Sequence, residues 1–134
     1  MMMEFGWATW QRCRASRPVW MRSCPYAEFN DDDLPAGVEQ IDIRLIDTVD
    51  PDANPNVDFV LTDTVRLIEQ LRNEGRTVLL HCVACQSRTP TVAALYGARK
   101  QGISGPAALR EVISILPDPY PNSDFRRALK RLAP

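Results

Sequence analysis

Apolar and polar residues alternate from Val38 to Ile46: Ile41, Ile43 and Leu45 fall on one side, Asp42 and Arg44 on the other. A period of two is that of a half-buried strand. Further along the period changes. Val57, Val60, Leu61, Thr64, Leu67, Ile68 and Leu71 recur at spacings of three and four, which predicts a helix over 57–74. Asn56 is placed to cap its start, Asp58 suits its first turn, and Gly75 ends it. Within 76–83, Thr-Val-Leu-Leu is a compact apolar run that reads as a buried central strand. A second helix is expected over 89–100, with Pro90 tolerated in its first turn and Gly102 as its stop. Ser104, Gly105 and Pro106 open a third helix, carried on by Ala108, Leu109, Val112 and Ile113. Pro117-Asp118-Pro119-Tyr120-Pro121 breaks the chain. Asn122 or Ser123 then caps a last helix through Leu132.

Elsewhere the pattern is weaker. In the first thirty residues neither period persists, and Val19 to Ser23 is the one plausible short strand. Two stretches must be turns or loops: Asp31 to Gly37, and Asp47 to Asn56 with Pro51 and Pro55. The order of elements predicts an α/β fold, a single-layer central sheet flanked by helices. Residues 1–18 are set apart as an atypical N-terminal segment, and 19–134 as one folded domain.

Composition narrows the class. A chain of 134 residues has room for one domain, and 45% apolar against 25% charged residues is ordinary for a soluble globular protein. That apolar share excludes disorder throughout. No apolar run reaches the ~18 residues of a spanning helix, and Arg12, Arg14 and Arg17 interrupt any leader-like stretch. No membrane partner and a cytoplasmic location are therefore expected, with the four cysteines as reduced thiols. The net charge of −1 hides an asymmetry: +2 over residues 1–30, −9 over 31–75 and +6 over 76–134. A basic C-terminal half can attract an anionic substrate. No basic-aromatic stripe accompanies it, so a nucleic-acid partner is not expected.

The most informative stretch is Leu80-His81-Cys82-Val83-Ala84-Cys85-Gln86-Ser87-Arg88-Thr89-Pro90. It joins the apolar strand to a helix. Backbone N–H groups in such a turn point inward, toward the positive end of the helix dipole, and together they favour an anion. Arg88 offers a planar fork of donors that matches two phosphoryl oxygens. The same field stabilises a thiolate, so Cys82 is expected to be nucleophilic at neutral pH. His81 is the only histidine, and it adjoins Cys82, which argues against a Ser-His-Asp arrangement.

His81-Cys82, five residues, then Arg88-Thr89 resembles the signature of the cysteine-dependent protein phosphatases, most closely their compact dual-specificity branch. Gly102-Ile103-Ser104 with Ala107-Ala108-Leu109, and Pro121-Asn122 with Phe125 and Leu129, are similar to that family's later segments. The resemblance runs from about Val38 to Leu132. It implies that Cys82 forms a phosphocysteine while Arg88 and the loop Val83, Ala84, Cys85, Gln86 and Ser87 bind the phosphoryl oxygens. Thr89 eases departure of the sulfur, and His81 orders the loop and helps stabilise the thiolate. The family places its general acid on a loop some thirty-odd residues earlier, after a strand. Asp47 is the leading candidate, Asp50 the second, and Asp52 lies in the same window. No metal or cofactor is implied. The expected partner is a phosphorylated protein or peptide, phosphotyrosine first and phosphoserine or phosphothreonine after it.

The sequence also departs from the family. Its usual glycine three residues after the nucleophile is Cys85 here, at a position that tends toward a left-handed backbone. Cys82 and Cys85 form a C-x-x-C pair, which raises a redox reading beside that of a small thiol filling a small site. A zinc site from His81, Cys82 and Cys85 lacks a fourth ligand in matching position. Rhodanese-type sulfurtransferases use a tighter loop with four intervening residues. Two segments bear on substrate and fold. The loop interior has no lysine, which weakens a polyphosphoinositide substrate, and Met1 to Ser16 does not resemble the family's early strands. A phosphate-binding module without turnover is the alternative function. On oligomeric state the sequence is silent.

Overall fold

The computed structural model describes residues 19–23, 37–82 and 85–134. Three strands among them form one sheet in the order β2-β1-β3, with β1 at Val19–Ser23, β2 at Glu39–Ile43 and β3 at Val78–His81. Both outer strands run parallel to β1, with Val19 opposite Glu39 on one side and Val78 on the other. Parallel neighbours need a crossover. Between β2 and β3 it is α1, Val57–Asn73. Three helices follow: α2 at Arg88–Gln101, α3 at Gly105–Ile115 and α4 at Ser123–Leu132. The expected α/β arrangement is the one observed.

One strand takes a different place from that expected. β3 pairs with β1 alone among the described residues, and β1 holds the middle of the sheet. Val19 and Met21 are fully buried there. The two-residue alternation of Val-Trp-Met-Arg-Ser conceals a core strand behind a bulky intervening Trp and Arg.

Helix α2 is buried along almost its whole circumference, from Arg88 to Ala98. It packs against α1, α3, α4 and β3. Small residues at Ala93, Ala94, Gly97 and Ala98 let its neighbours approach from several sides. α1 turns Leu61, Val65, Ile68 and Leu71 inward, and α4 contributes Phe125, Ala128 and Leu129 to the same core. The helix ends follow local chemistry. Ser104 accepts the Ala107 N–H and Asn122 accepts the Phe125 N–H. Gly75 and Gly102 stop their helices with positive φ, 75° and 68°. Asn56 holds the cap position of α1, but its side chain makes no capping bond.

Parallel strands place their C-terminal ends on one edge of the sheet, where ligands of α/β proteins bind. β2 leads to Asp47 and β3 leads to Cys82 on that shared edge. Residues 1–18, Cys24, Asp31 to Ala36, and Val83 with Ala84 lie outside the described residues. No helix of the described residues is long and apolar enough to cross a membrane.

Candidate active site

Cys82 follows directly on β3 and is 4% exposed. His81, the last residue of β3, lies opposite Arg22 of β1. Past the turn, Ser87 takes the cap position of α2 and Arg88 its first helical turn, both buried. The positive end of the α2 dipole thus opens onto the loop. Arg88 Nη1 donates to the Leu45 carbonyl at 3.4 Å, a long bond that ties the guanidinium toward the strand leading to Asp47. Its Nε is buried with no partner among the described residues. An unpaired buried donor on a cation is costly, and an anionic oxygen would satisfy it. Of the expected phosphoryl-binding residues, Cys85, Gln86, Ser87 and Arg88 are described, and Val83 and Ala84 are not.

The pKa of Cys82 is lowered from the usual 9.0 to about 5. Hydrogen bonding with Cys85 is the main cause, opposed by burial. The hydroxyl and backbone N–H of Thr89 lower it further, and the charge of Arg88 adds to them. Thr89 is fully buried, and its Oγ1 makes no bond to a nitrogen or oxygen among the described residues. The Cys85 thiol is pushed up, chiefly because it keeps its proton in the bond with Cys82. That single proton is shared with the Cys82 carbonyl, 3.6 Å from the Cys85 sulfur. Cys85 has φ 53°, the left-handed conformation expected at this position. A side chain there costs about 1–2 kcal/mol.

Asp47 lies across the loop. Its Oδ1 accepts from the Ser87 hydroxyl at 2.7 Å and from Asn122 Nδ2 at 2.8 Å. Asn122 binds in five ways, one of them the helical bond of its carbonyl with the Arg126 N–H. Besides Asp47, its side chain donates to the Thr48 carbonyl and accepts the Phe125 N–H, while its own backbone N–H donates to Ser87 Oγ. One residue therefore ties the Asp47 loop, the cysteine loop and α4. Asn54, 9% exposed, fixes the same segment by bonding both N–H and C=O of Ile46. Asp50 is used otherwise: it accepts the Asp52 N–H at 3.0 Å and closes a turn. Neither Asp50 nor Asp52 is joined to the cysteine loop by any bond described.

On the opposite rim, Gln86 is held from the segment before α4. Its side chain donates to Asp118 at 2.9 Å and its carbonyl accepts the Tyr120 N–H at 2.6 Å. Asp118 has φ 50°, a second left-handed non-glycine residue beside this loop. The sequence singled out Asn122 only as a helix cap and Asp118 only as part of a breaker. Pro121-Asn122, among the segments similar to the phosphatases, was the signal that could have marked the first. No group of three or more potential metal ligands occurs among the described residues.

Comparison with known proteins follows the same line as the geometry. The model of the dual specificity phosphatase catalytic domain matches residues 21–133. The chain belongs to that family. Dual specificity protein phosphatase 1 of Arabidopsis thaliana is 31% identical over 90 residues, covering 67% of this chain and 43% of that protein. The chain spans less than half the length of the curated relatives it matches. Among solved structures, human DUSP28 superposes with a TM-score of 0.75 at 21% identity, over 93% of this chain and 82% of that one. Tk-PTP in its active form gives 0.67 at 25% identity, over 91% and 81%. A phosphatase fold and membership of the protein phosphatase family thus join the loop geometry.

Proposed function

We propose that this chain hydrolyses phosphomonoesters on proteins through a phosphocysteine at Cys82. The observation that carries the reading is a depressed, buried thiol beside Arg88, whose Nε has no partner among the described residues. The Cys82 thiolate attacks phosphorus while the bond to the leaving oxygen breaks. Arg88 and the loop amides hold the equatorial oxygens as charge redistributes. Asp47 protonates the leaving oxygen. Both its hydrogen bonds fall on Oδ1, so Oδ2 is the atom that carries the proton. Water then cleaves the phosphocysteine, and the Thr89 hydroxyl steadies the departing sulfur. His81 orders the loop from the end of β3. Phosphotyrosine peptide is the leading substrate, with phosphoserine and phosphothreonine after it, and the reaction uses no cofactor.

Turnover of p-nitrophenyl phosphate in EDTA tests this. Vanadate-sensitive hydrolysis is expected in the wild type and none in Cys82→Ser. Asp47→Asn should lower kcat about 100-fold or more on phosphotyrosine peptide and less on the activated aryl ester.

The double engagement of Asp47 Oδ1 and the strained Cys85 favour a second reading, a phosphate-binding module without turnover. A folded wild type that binds vanadate but releases no phosphate would support it.

A further inference from the structure

Tyr120 stands between Pro119 and Pro121, and its backbone N–H donates to the Gln86 carbonyl at 2.6 Å. Prolines on both sides stiffen that backbone, so the residue is fixed at the rim of the cysteine loop. Its ring is 75% exposed and takes no part in the core. The Arg126 guanidinium lies 5.9 Å from the ring centroid. Arg126 is itself exposed, and its Nε donates to the Pro121 carbonyl at 2.9 Å. Its Nη1 and Nη2 make no hydrogen bond among the described residues, and it meets no carboxylate there. The other arginines of α4 are paired, Arg127 with Asp124 and Arg131 with Asp58. Asp118, the acidic residue of the rim segment, is held by Gln86 instead. A cation near the start of a helix opposes the helix dipole, so the charge of Arg126 does not serve α4.

We propose that Tyr120 and Arg126 form a rim subsite that selects phosphopeptides with an acidic residue next to the phosphorylated one. Such selectivity rests on the phosphatase reading and names the substrates that site prefers. Neighbouring residues of an extended peptide are about 3.3 Å apart along the chain. Once the phosphoryl group fills the loop, a flanking residue therefore crosses the rim that Gln86 and Tyr120 form. Its carboxylate meets the two unused Nη groups of Arg126, whose planar fork matches two carboxylate oxygens. The Tyr120 ring and the Pro121 carbonyl hold the guanidinium from its other sides. Part of its rotamer freedom is thus already lost before a peptide binds, which lowers the cost of binding. A neutral flanking residue forgoes the ion pair, and a basic one is repelled.

The probes are phosphotyrosine peptides with Glu, Gln or Lys at the position before the phosphotyrosine or at the one after it. Each kcat/KM on the full chain is taken relative to the same variant's rate on p-nitrophenyl phosphate, which has no flanking residue. At one of the two positions the Glu peptide should exceed its Gln isostere by about threefold to fivefold, through KM rather than kcat, with Lys below both. Raising the salt to about 0.5 M should shrink the difference. Arg126→Gln should remove the preference, Arg126→Lys keep part of it, and Arg126→Glu reverse it in favour of Lys. Tyr120→Ala should weaken it and Tyr120→Phe retain it. Equal rates for Glu and Gln at both positions, or a preference that Arg126→Glu leaves unchanged, overturn the subsite. Either result leaves the phosphatase reading intact, because the peptides still turn over. If neither peptide nor aryl ester turns over, that reading falls, and peptide affinities for the wild-type chain judge the rim. Tighter binding of Glu than Gln, lost in Arg126→Gln, then keeps the subsite, and equal binding removes it.

Discussion

The thiol of Cys82 sits between opposed influences, and their balance decides its chemistry. Burial alone would keep it protonated. Hydrogen bonds from Cys85 and Thr89 and the charge of Arg88 outweigh that burial and bring its pKa to about 5. The direction fixes a pH profile. A lowered pKa means that the thiolate is present above about 5 and lost as pH falls through that value. Alkylation of Cys82 by iodoacetamide should therefore be nearly flat from pH 7 to 9 and decline at acid pH. In Cys85→Ala the midpoint should move upward, because the largest lowering influence is gone. A wild-type midpoint near 9.0, the ordinary thiol value, would contradict the site's electrostatics. The backbone at Cys85 gives a second outcome. Cys85→Gly releases the left-handed strain and should raise stability by about 1 kcal/mol, read as a higher urea midpoint. Cys85→Ala keeps a Cβ and should show no such gain.

At the scale of elements, Asn122 and Gly105 bear most on how the site is held. Asn122 begins α4 yet bonds the Asp47 loop and, through its backbone, Ser87. Asn122→Ala should lower kcat toward the Asp47→Asn value with little change in KM. The double variant should be no worse than Asp47→Asn alone, as a shared pathway requires. Additive losses would mean that Asn122 acts elsewhere, through α4 itself. Gly105 opens α3 against α4. A Cβ there would stand 2.5 Å from the Leu129 carbonyl oxygen and 2.9 Å from its carbon. Those are backbone atoms, so the helices must separate. Gly105→Ala should cost about 1–3 kcal/mol, seen as a lower thermal midpoint. An unchanged midpoint would mean that this close approach relaxes freely.

Across the whole molecule, local chemistry was legible in the sequence wherever one residue type had one task. The period of α1, the glycine stops at 75 and 102, the opening of α3 at Ser104 to Pro106 and a cap at Asn122 or Ser123 are local statements, and the structure bears them out, with Asn122 as the last cap. The cysteine–arginine loop was equally plain, since its residues and spacing resemble the signature of the family. Partners distant along the chain were not legible. Nothing near Asp47 in sequence reveals that Ser87 and Asn122 meet its carboxylate, 40 and 75 residues away. The central place was given to β3 instead of β1 for the same reason: which strand is central depends on which strands arrive beside it. The bonds of Asp47, Ser87 and Asn122 hold the Asp47 loop against the cysteine loop, and the phosphocysteine is the species on which the proposed function depends. The most direct measurement is acid quench of the enzyme during turnover of a phosphotyrosine peptide, followed by mass analysis of peptide Thr77 to Arg88. One phosphate on Cys82 is expected, absent from Cys82→Ser. Turnover with no phosphate on that peptide, or with turnover retained in Cys82→Ser, would contradict the mechanism.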